Sequence, residues 1–247
     1  MARRTPPERL TRLVDCATRV FIEQGYRRTQ MADIAEALGI AKGTLYLYVE
    51  SKDALFDLVA RCADGEHPLP ELSALPLATP APGTTVAFVR DVLAANREIP
   101  ALRAALQRTR VRDARAELEA IVGELYDVLA RHRHGIKLID RSAVDHPELG
   151  ALWFEGARGG MREALATYLT TRIRRGLLRP VPDVAITARM ILETVVFWAV
   201  HRHWDPAPQP VDPRTAEDTI VQMLVGALCG AEHRPARHGT GSGKTRV

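Results

Sequence analysis

The sequence predicts an all-α protein built from a small N-terminal three-helix unit and a larger helical domain. Apolar residues recur at the 3.6-residue period of a helix in almost every segment between turns. No segment shows the alternating polarity of a half-buried strand. With 46% hydrophobic residues, the chain can bury a sizeable core. The predicted boundaries are 1–52 for the first unit, 53–230 for the second, and 231–247 for a disordered basic tail.

The first helix is predicted over residues 7–24, after a basic arm at 1–6 that we expect to be flexible. An apolar stripe at helical spacing runs from Leu10 to Phe21. Proline suits the first turn of a helix, and Gly25 suits its end. This helix is expected to pack across the next two and close a small core.

Residues 29–49 predict two short helices joined by a tight turn. Thr29 can cap the first of them, because a hydroxyl satisfies free backbone donors at a helix start. Gly39 can end it, because glycine readily takes the left-handed conformation of a helix C-terminus. The second helix is predicted over 44–49, with apolar side chains four residues apart pointing inward. The pattern is typical of a helix-turn-helix, whose second helix enters the major groove of DNA.

Residues 34–55 resemble the DNA-binding end of the TetR family of bacterial transcriptional regulators; they read I-A-E-A-L-G-I-A-K-G-T-L-Y-L-Y-V-E-S-K-D-A-L. The turn, the cap and both tyrosines are in register with the family pattern. Val49 stands where the family usually has Phe, and Ala41 stands where it often has Ser. The resemblance implies a helix-turn-helix DNA-binding domain followed by a ligand-binding and dimerisation domain.

Side chains around this motif are expected to contact double-stranded DNA. Basic groups and hydroxyls suit phosphates, whereas side chains on the second helix reach base edges. Beside such a motif, we interpret the arginines at 3, 4, 9, 12, 27 and 28 as phosphate contacts rather than as a merely solvated surface. The predicted phosphate contacts are Arg28, Thr29, Lys42, Tyr48 and Lys52, and the predicted base contacts are Gly43, Thr44, Tyr46 and Leu47.

The remaining segments predict helices separated by one long loop. Ser51 can cap a helix over 53–63 that, in the family, links the DNA-binding unit to the body. Residues 64–84 hold five prolines and cannot form a helix, so they are either a packed loop or a mobile one. The later helices are predicted over 84–97, 100–106, 111–144 with a disturbance at Gly135, 148–175, 184–203 and 215–229.

Scarce aromatic residues in the body helices are candidates for the lining of an apolar cavity. Packing in the core or at a dimer interface is the alternative for each of them. The family resemblance implies a cavity that takes a small apolar or amphipathic effector. The predicted ligand-binding residues are Tyr126, Trp153, Phe154, Ala157, Met161 and Trp198.

The last two helices, 184–203 and 215–229, are apolar on more than one side, which predicts a homodimer. An enzyme, or a helical protein-interaction module that does not bind DNA, are the alternatives. The histidine pairs at 132/134 and 201/203 are two residues apart and point apart on a helix, so a metal site is not expected. The run at 241–245 lacks the first glycine of a P-loop. We therefore expect no enzyme activity, cofactor or metal.

The predicted location is the cytoplasm. No apolar run follows the basic N-terminus, and Arg189 and Glu193 interrupt the most apolar segment. The three cysteines have no metal or redox spacing. The sequence thus predicts a dimeric, effector-released repressor that binds a palindromic operator and has no membrane partner. It leaves open the operator, the effector, and the choice between repression and activation.

Overall fold

The computed structural model describes residues 7–96 and 99–229. Within these ranges the chain forms twelve α-helices, one π-helical segment and two short 3-10 turns, with no strand beyond one isolated bridge between Val49 and Leu77. The all-α prediction is confirmed. The predicted arm at 1–6, the tail at 231–247 and the run at 241–245 lie outside the described residues.

The helices follow one another in this order along the chain: α1 (Pro7–Gln24), α2 (Met31–Leu38), α3 (Lys42–Leu45), α4 (Lys52–Cys62), α5 (Thr84–Ala95), α6 (Pro100–Gln107), α7 (Ala114–Arg131), α8 (Arg133–Ala143), α9 (Pro147–Gly150), α10 (Gly159–Arg174), α11 (Val184–Ala199) and α12 (Pro213–Leu228). The π-helical segment is Ala151–Arg158, and the 3-10 turns are Leu72–Ala74 and His201–Trp204.

The N-terminal unit packs α1 across α2 and α4, with α3 against α2. Its core includes Leu13, Phe21, Ile34, Leu45 and Val49, all with 0% exposure. Helix α1 begins and ends where the sequence predicts. It also contacts α8, so the N-terminal unit rests directly on the body.

Thr29 does not cap α2, and that prediction is wrong. Gln30 occupies the cap position, and its backbone N–H donates to Asp33 Oδ2 at 2.8 Å. Thr29 is fully buried, and its hydroxyl donates to the Gly25 carbonyl at 2.7 Å. Gly39 ends the helix as predicted, with a left-handed φ of 72°.

The second motif helix is shorter and earlier than predicted. Helix α3 ends at Leu45, and residues 46–48 form a turn rather than the predicted helix over 44–49. The turn points Tyr48 and Val49 into the core. Ser51 caps α4 as predicted, with its hydroxyl oxygen accepting from Ala54 N at 3.1 Å.

In the body, the helix predicted over 111–144 is divided into α7 and α8 at His132. Gly135 lies inside α8, and a Cβ there would come within 2.5 Å of Asp64 Oδ2. This glycine therefore makes room for a neighbouring carboxylate and does not break the helix. The helix predicted over 148–175 is interrupted by the π-helical segment, a feature that occurs often at functional sites.

A buried ion pair lies within the apolar core of the body. Arg172 is 1% exposed, and its Nε lies 2.7 Å from Glu117 Oε2. Its Nη2 donates to the Ala105 carbonyl, so α10 is tied to both α6 and α7. Loss of either partner would leave a buried charge uncompensated, which is strongly destabilising.

Among the described residues, no helix is long and apolar enough to cross a membrane. No group of three or more His, Cys, Asp or Glu side chains within 7–96 and 99–229 could hold a metal ion. The three cysteines are buried, and burial raises the pKa of the Cys62 and Cys229 thiols.

Candidate DNA interface and effector cavity

Helix α3 and the turn after it present a compact exposed surface, which we call the recognition segment (residues 42–47). Lys42 and Gly43 are exposed, and Thr44 is half-buried. Tyr46 is 41% and Leu47 63% exposed, although both are large. The segment therefore offers a cation, hydroxyl groups and an apolar side chain, the types that contact phosphates, base edges and thymine methyls.

Lys52 lies behind this surface and is engaged by the protein itself. Its Nζ donates to the Tyr26 carbonyl at 3.0 Å and to the Thr29 carbonyl at 3.1 Å. The same ammonium lies 4.5 Å from the centre of the Tyr26 ring. The Lys52 side chain thus binds the loop between α1 and α2, whereas the sequence predicts that it contacts a phosphate.

The other predicted phosphate contacts divide into buried and exposed residues. Tyr48 is 4% exposed and Thr29 is fully buried, so their side chains are not part of the recognition surface. Arg28 is exposed, and its Nε donates to the Gln24 carbonyl at 2.9 Å. The sequence analysis predicts an exposed Tyr48 because it continues α3 as a helix through the turn at 46–48.

The proline-rich segment, predicted as a loop over 64–84, runs back to the residues that directly follow the recognition segment. Leu77 N donates to the Tyr48 carbonyl at 2.8 Å, and Glu50 N donates to the Leu77 carbonyl at 3.0 Å. The hydroxyl of Thr79 donates to Ser51 Oγ at 2.8 Å. We call residues 75–79 the strap. It gives the turn after α3 backbone partners from outside the three-helix unit.

An apolar cavity of about 130 Å³ lies in the body between α4, α5, α7, α8, α11 and the π-helical segment. For comparison, a cavity of about 150 Å³ lined by apolar side chains holds a benzene molecule. A larger effector would therefore require side chains or helices of the lining to move. Representative apolar lining residues are Phe88, Val92, Leu125, Ile139 and Leu192.

The structure brings three of the six predicted ligand-binding residues to this cavity, namely Trp153, Ala157 and Met161. The other three do not line this cavity. Tyr126 is buried and its hydroxyl donates to the Pro213 carbonyl at 3.2 Å. Phe154 is 41% exposed, and Trp198 packs edge-on against Phe197 outside the cavity.

Sequence reasoning missed the polar residues of the cavity wall, which are Asp64, Asn96, His132 and Arg158. The sequence places Asp64 in the proline-rich loop and predicts only that His132 is a surface or pocket histidine rather than a metal ligand. Both lie where an element ends, so helical periodicity carries no signal for them. The apolar stripe of α5 was visible in the sequence but could equally have faced another helix.

Helix α4 joins the cavity to the DNA-binding unit. Ala60, near its end, and Asp64, just after it, line the cavity. Asp64 accepts hydrogen bonds from the backbone N–H groups of His134 at 2.9 Å and Gly135 at 3.0 Å. At the other end of α4, Lys52 holds the loop before α2. Helix α4 therefore contacts both the cavity and the loop that leads into the helix-turn-helix.

Residues 13–59 match the family model described as bacterial regulatory proteins, tetR family. This range contains α2, α3, the recognition segment and most of α1 and α4. The N-terminal unit of the chain therefore carries a domain of the TetR family of transcriptional regulators. The match falls on the unit whose exposed recognition segment is described above, so this is the DNA-binding helix-turn-helix of the TetR family.

Two TetR-like relatives extend over most of the chain. The HTH-type transcriptional repressor KstR2 of Rhodococcus jostii (strain RHA1) is 26% identical over 220 residues, 88% of this chain and 90% of the relative. The HTH-type transcriptional activator FasR of Mycolicibacterium smegmatis is 26% identical over 225 residues, 90% of this chain and 83% of the relative. Both relatives are named as transcriptional regulators.

A solved structure shares the fold over nearly the whole chain. It is the ketosteroid transcriptional regulator KstR2 of Mycobacterium tuberculosis, with a TM-score of 0.55 and 18% identity over 94% of this chain and 100% of that one. The likeness supports the arrangement of an N-terminal helix-turn-helix unit on a helical body.

Replacing Lys42 or Tyr46 by Ala is expected to weaken binding to a palindromic DNA selected from a random library. Each loss should cost about 1–3 kcal/mol if the side chain contacts a base, and loss of a Lys–phosphate contact should lower the salt slope by about 1. The measurement is DNA affinity over a range of salt concentrations. Arg174→Ala removes an exposed cation at the end of α10 and is the control. Unchanged affinity in both variants would contradict the assignment of the recognition segment.

The strap is expected to support DNA binding through its backbone. Leu77→Pro removes the N–H that donates to Tyr48, whereas Leu77→Ala keeps it. Because one hydrogen bond is worth about 1 kcal/mol net, Leu77→Pro should lower DNA affinity about fivefold beyond Leu77→Ala. The measurement is affinity for the same DNA, with thermal unfolding to compare stability. Equal affinities of the two variants would show that the strap does not position the recognition segment.

Proposed function

We propose that this TetR-family protein is a homodimeric repressor that loses affinity for a palindromic operator when a small apolar molecule enters the body cavity. The position of α4 supports the proposal. The end of α4 lines the cavity, and its start holds the loop before α2 in the N-terminal unit through Lys52. One rigid element thus borders both sites. Repression is chosen over activation because the R. jostii relative is a repressor, although FasR is an activator.

The proposed DNA contacts are the exposed members of the predicted set. Lys42 and Arg28 supply positive charge for phosphates, and their contacts would make binding depend on salt. Tyr46, Leu47 and Gly43 would approach base edges, with Thr44 beside them. Lys52, Thr29 and Tyr48 act behind this surface by fixing its shape.

The dimer is proposed to form through α11 and α12. Ile186 is 60%, Met190 62% and Phe197 40% exposed, and their spacing places them on one side of α11. Met223 on α12 is 56% exposed. Large apolar side chains exposed together on neighbouring helices are typical of an interface, and a second copy of this chain would cover them. Two recognition segments could then reach half-sites about 34–36 Å apart, or a multiple.

Release follows from the small size of the cavity. An effector larger than a single ring must move a lining helix, and α4 is the lining helix that continues toward the DNA-binding unit. The effector weakens DNA binding only if it binds the displaced arrangement better than the operator-bound one. The coupling is reciprocal and is typically about 1–3 kcal/mol.

Met190→Glu and Met223→Glu are each expected to give monomers that remain folded, because both side chains are exposed and neither supports the core. The measurement is sedimentation velocity, with circular dichroism to check the fold. Val144→Glu is the matched control, because Val144 is 71% exposed and lies outside α11 and α12. Dimers that persist in both variants would place the interface elsewhere.

Ala157→Phe is expected to fill the cavity and to abolish release without weakening DNA binding itself. Ala157 lines the cavity. Gly160→Phe is the matched control, because Gly160 lies one turn later and lines a separate surface groove beside Leu102 and Leu106. The measurement is DNA affinity with and without a compound selected by its release of the parent protein. Normal release of Ala157→Phe would contradict this site, and failure of every compound to release the parent would contradict the proposed switch.

A further inference from the structure

His132 is a buried histidine in the wall of the cavity, at the junction between α7 and α8. It is 8% exposed, and its Nε2 is buried without a hydrogen-bond partner in the described part of the chain. Leaving a buried polar atom unpaired costs free energy, and the exceptions in native structures call for an explanation. The adjacent cavity offers such an explanation, because a polar group of a bound ligand would supply the missing hydrogen-bond partner.

The other ring nitrogen of His132 defines what Nε2 can accept. Nδ1 lies 3.5 Å from Glu66 Oε2. In the neutral imidazole, a carboxylate at this position favours the tautomer that carries its proton on Nδ1. Nε2 then presents a lone pair, so its complementary partner is a hydrogen-bond donor.

The remaining polar side chains of the wall are already engaged. Asp64 accepts from two backbone N–H groups at the start of α8. Arg158 lies 2.5 Å from Glu193 Oε2 and 3.4 Å from Asp140 Oδ1. Asn96 donates to the Val92 carbonyl at 3.0 Å. An ionised ligand would thus meet no uncompensated charge, and its desolvation in an apolar cavity would be costly.

We propose that the effector is an uncharged, largely apolar molecule with a hydroxyl group, and that this hydroxyl donates a hydrogen bond to His132 Nε2. The inference rests on the proposed function in taking this cavity as the effector site. Because Nε2 is buried, this contact requires a shift of the ring or of the cavity wall. The hydroxyl satisfies the unpaired acceptor, while the rest of the molecule contacts the apolar lining.

The test uses phenol, toluene and benzoate as probes of the purified full-length protein, with affinities from isothermal titration calorimetry. The three share one ring, and they differ in carrying a donor, no polar group, or a charge. Phenol should bind about tenfold more tightly than toluene, since the hydrogen bond satisfies an otherwise unpaired acceptor. Benzoate should bind more weakly than either.

Variants then assign the preference to His132. His132→Phe should remove the preference for phenol while toluene still binds, and His132→Gln, which keeps an acceptor oxygen, should retain part of it. His203→Phe changes a histidine that does not line the cavity and contacts no residue of its wall, and it should behave like the parent. If His132→Phe does not fold, the phenol preference of His132→Gln compared with that of the parent still tests the role of His132.

Equal affinities for phenol and toluene would overturn the inference, as would benzoate binding as tightly as phenol. A preference for phenol that survives in His132→Phe would also overturn it, and so would the absence of binding by all three probes. These affinities are measured on the protein alone and do not depend on DNA binding. If phenol binds as expected but no compound releases DNA, the hydroxyl inference stands and the proposed switch fails.

Discussion

The contacts of the Lys52 ammonium group fix the geometry of the DNA-binding unit. This group donates to carbonyls of the loop between α1 and α2 and lies against the Tyr26 ring. The hydroxyl of Tyr26 in turn donates to Asp53, beside Lys52, and burial together with this carboxylate raises the pKa of the phenol. The start of α4 is therefore tied directly to the entry to α2. The orientation of the recognition segment consequently depends on α4.

The other end of α4 meets the body through an equally polar junction. Asp64 accepts from the first amides of α8, where free backbone donors and the helix dipole favour a carboxylate. Gly135 is required there because a Cβ would collide with that carboxylate. The cavity lies directly beside this junction. Both ends of α4 are thus held by specific hydrogen bonds.

The strap adds a second connection, and its existence explains why a proline-rich segment is ordered beside the recognition segment. Prolines exclude a helix, but they leave Leu77 and Thr79 able to bond with the turn after α3. Segment 64–83 leads into α5, whose Phe88 and Val92 line the cavity. Arg61 of α4 lies 4.3 Å from the centre of the Phe88 ring. Helices α4 and α5 are therefore in contact beside the cavity, and each leads back to the recognition segment.

The amino-acid sequence by itself determined the helical class and the bounds of α1. It also determined the turn at Gly39, the cap at Ser51 and the exposure of Lys42, Tyr46 and Leu47. These features depend on periodicity and on backbone preferences of single residues, which act over a few positions. The roles of Lys52, Asp64 and His132 depend on groups that are distant in the chain. Their partners could be identified only after the helices had packed, because a hydrogen bond or a cavity is defined by three-dimensional proximity. The same reason explains why Trp153 lines the cavity while Tyr126 and Trp198, equally aromatic, pack outside it.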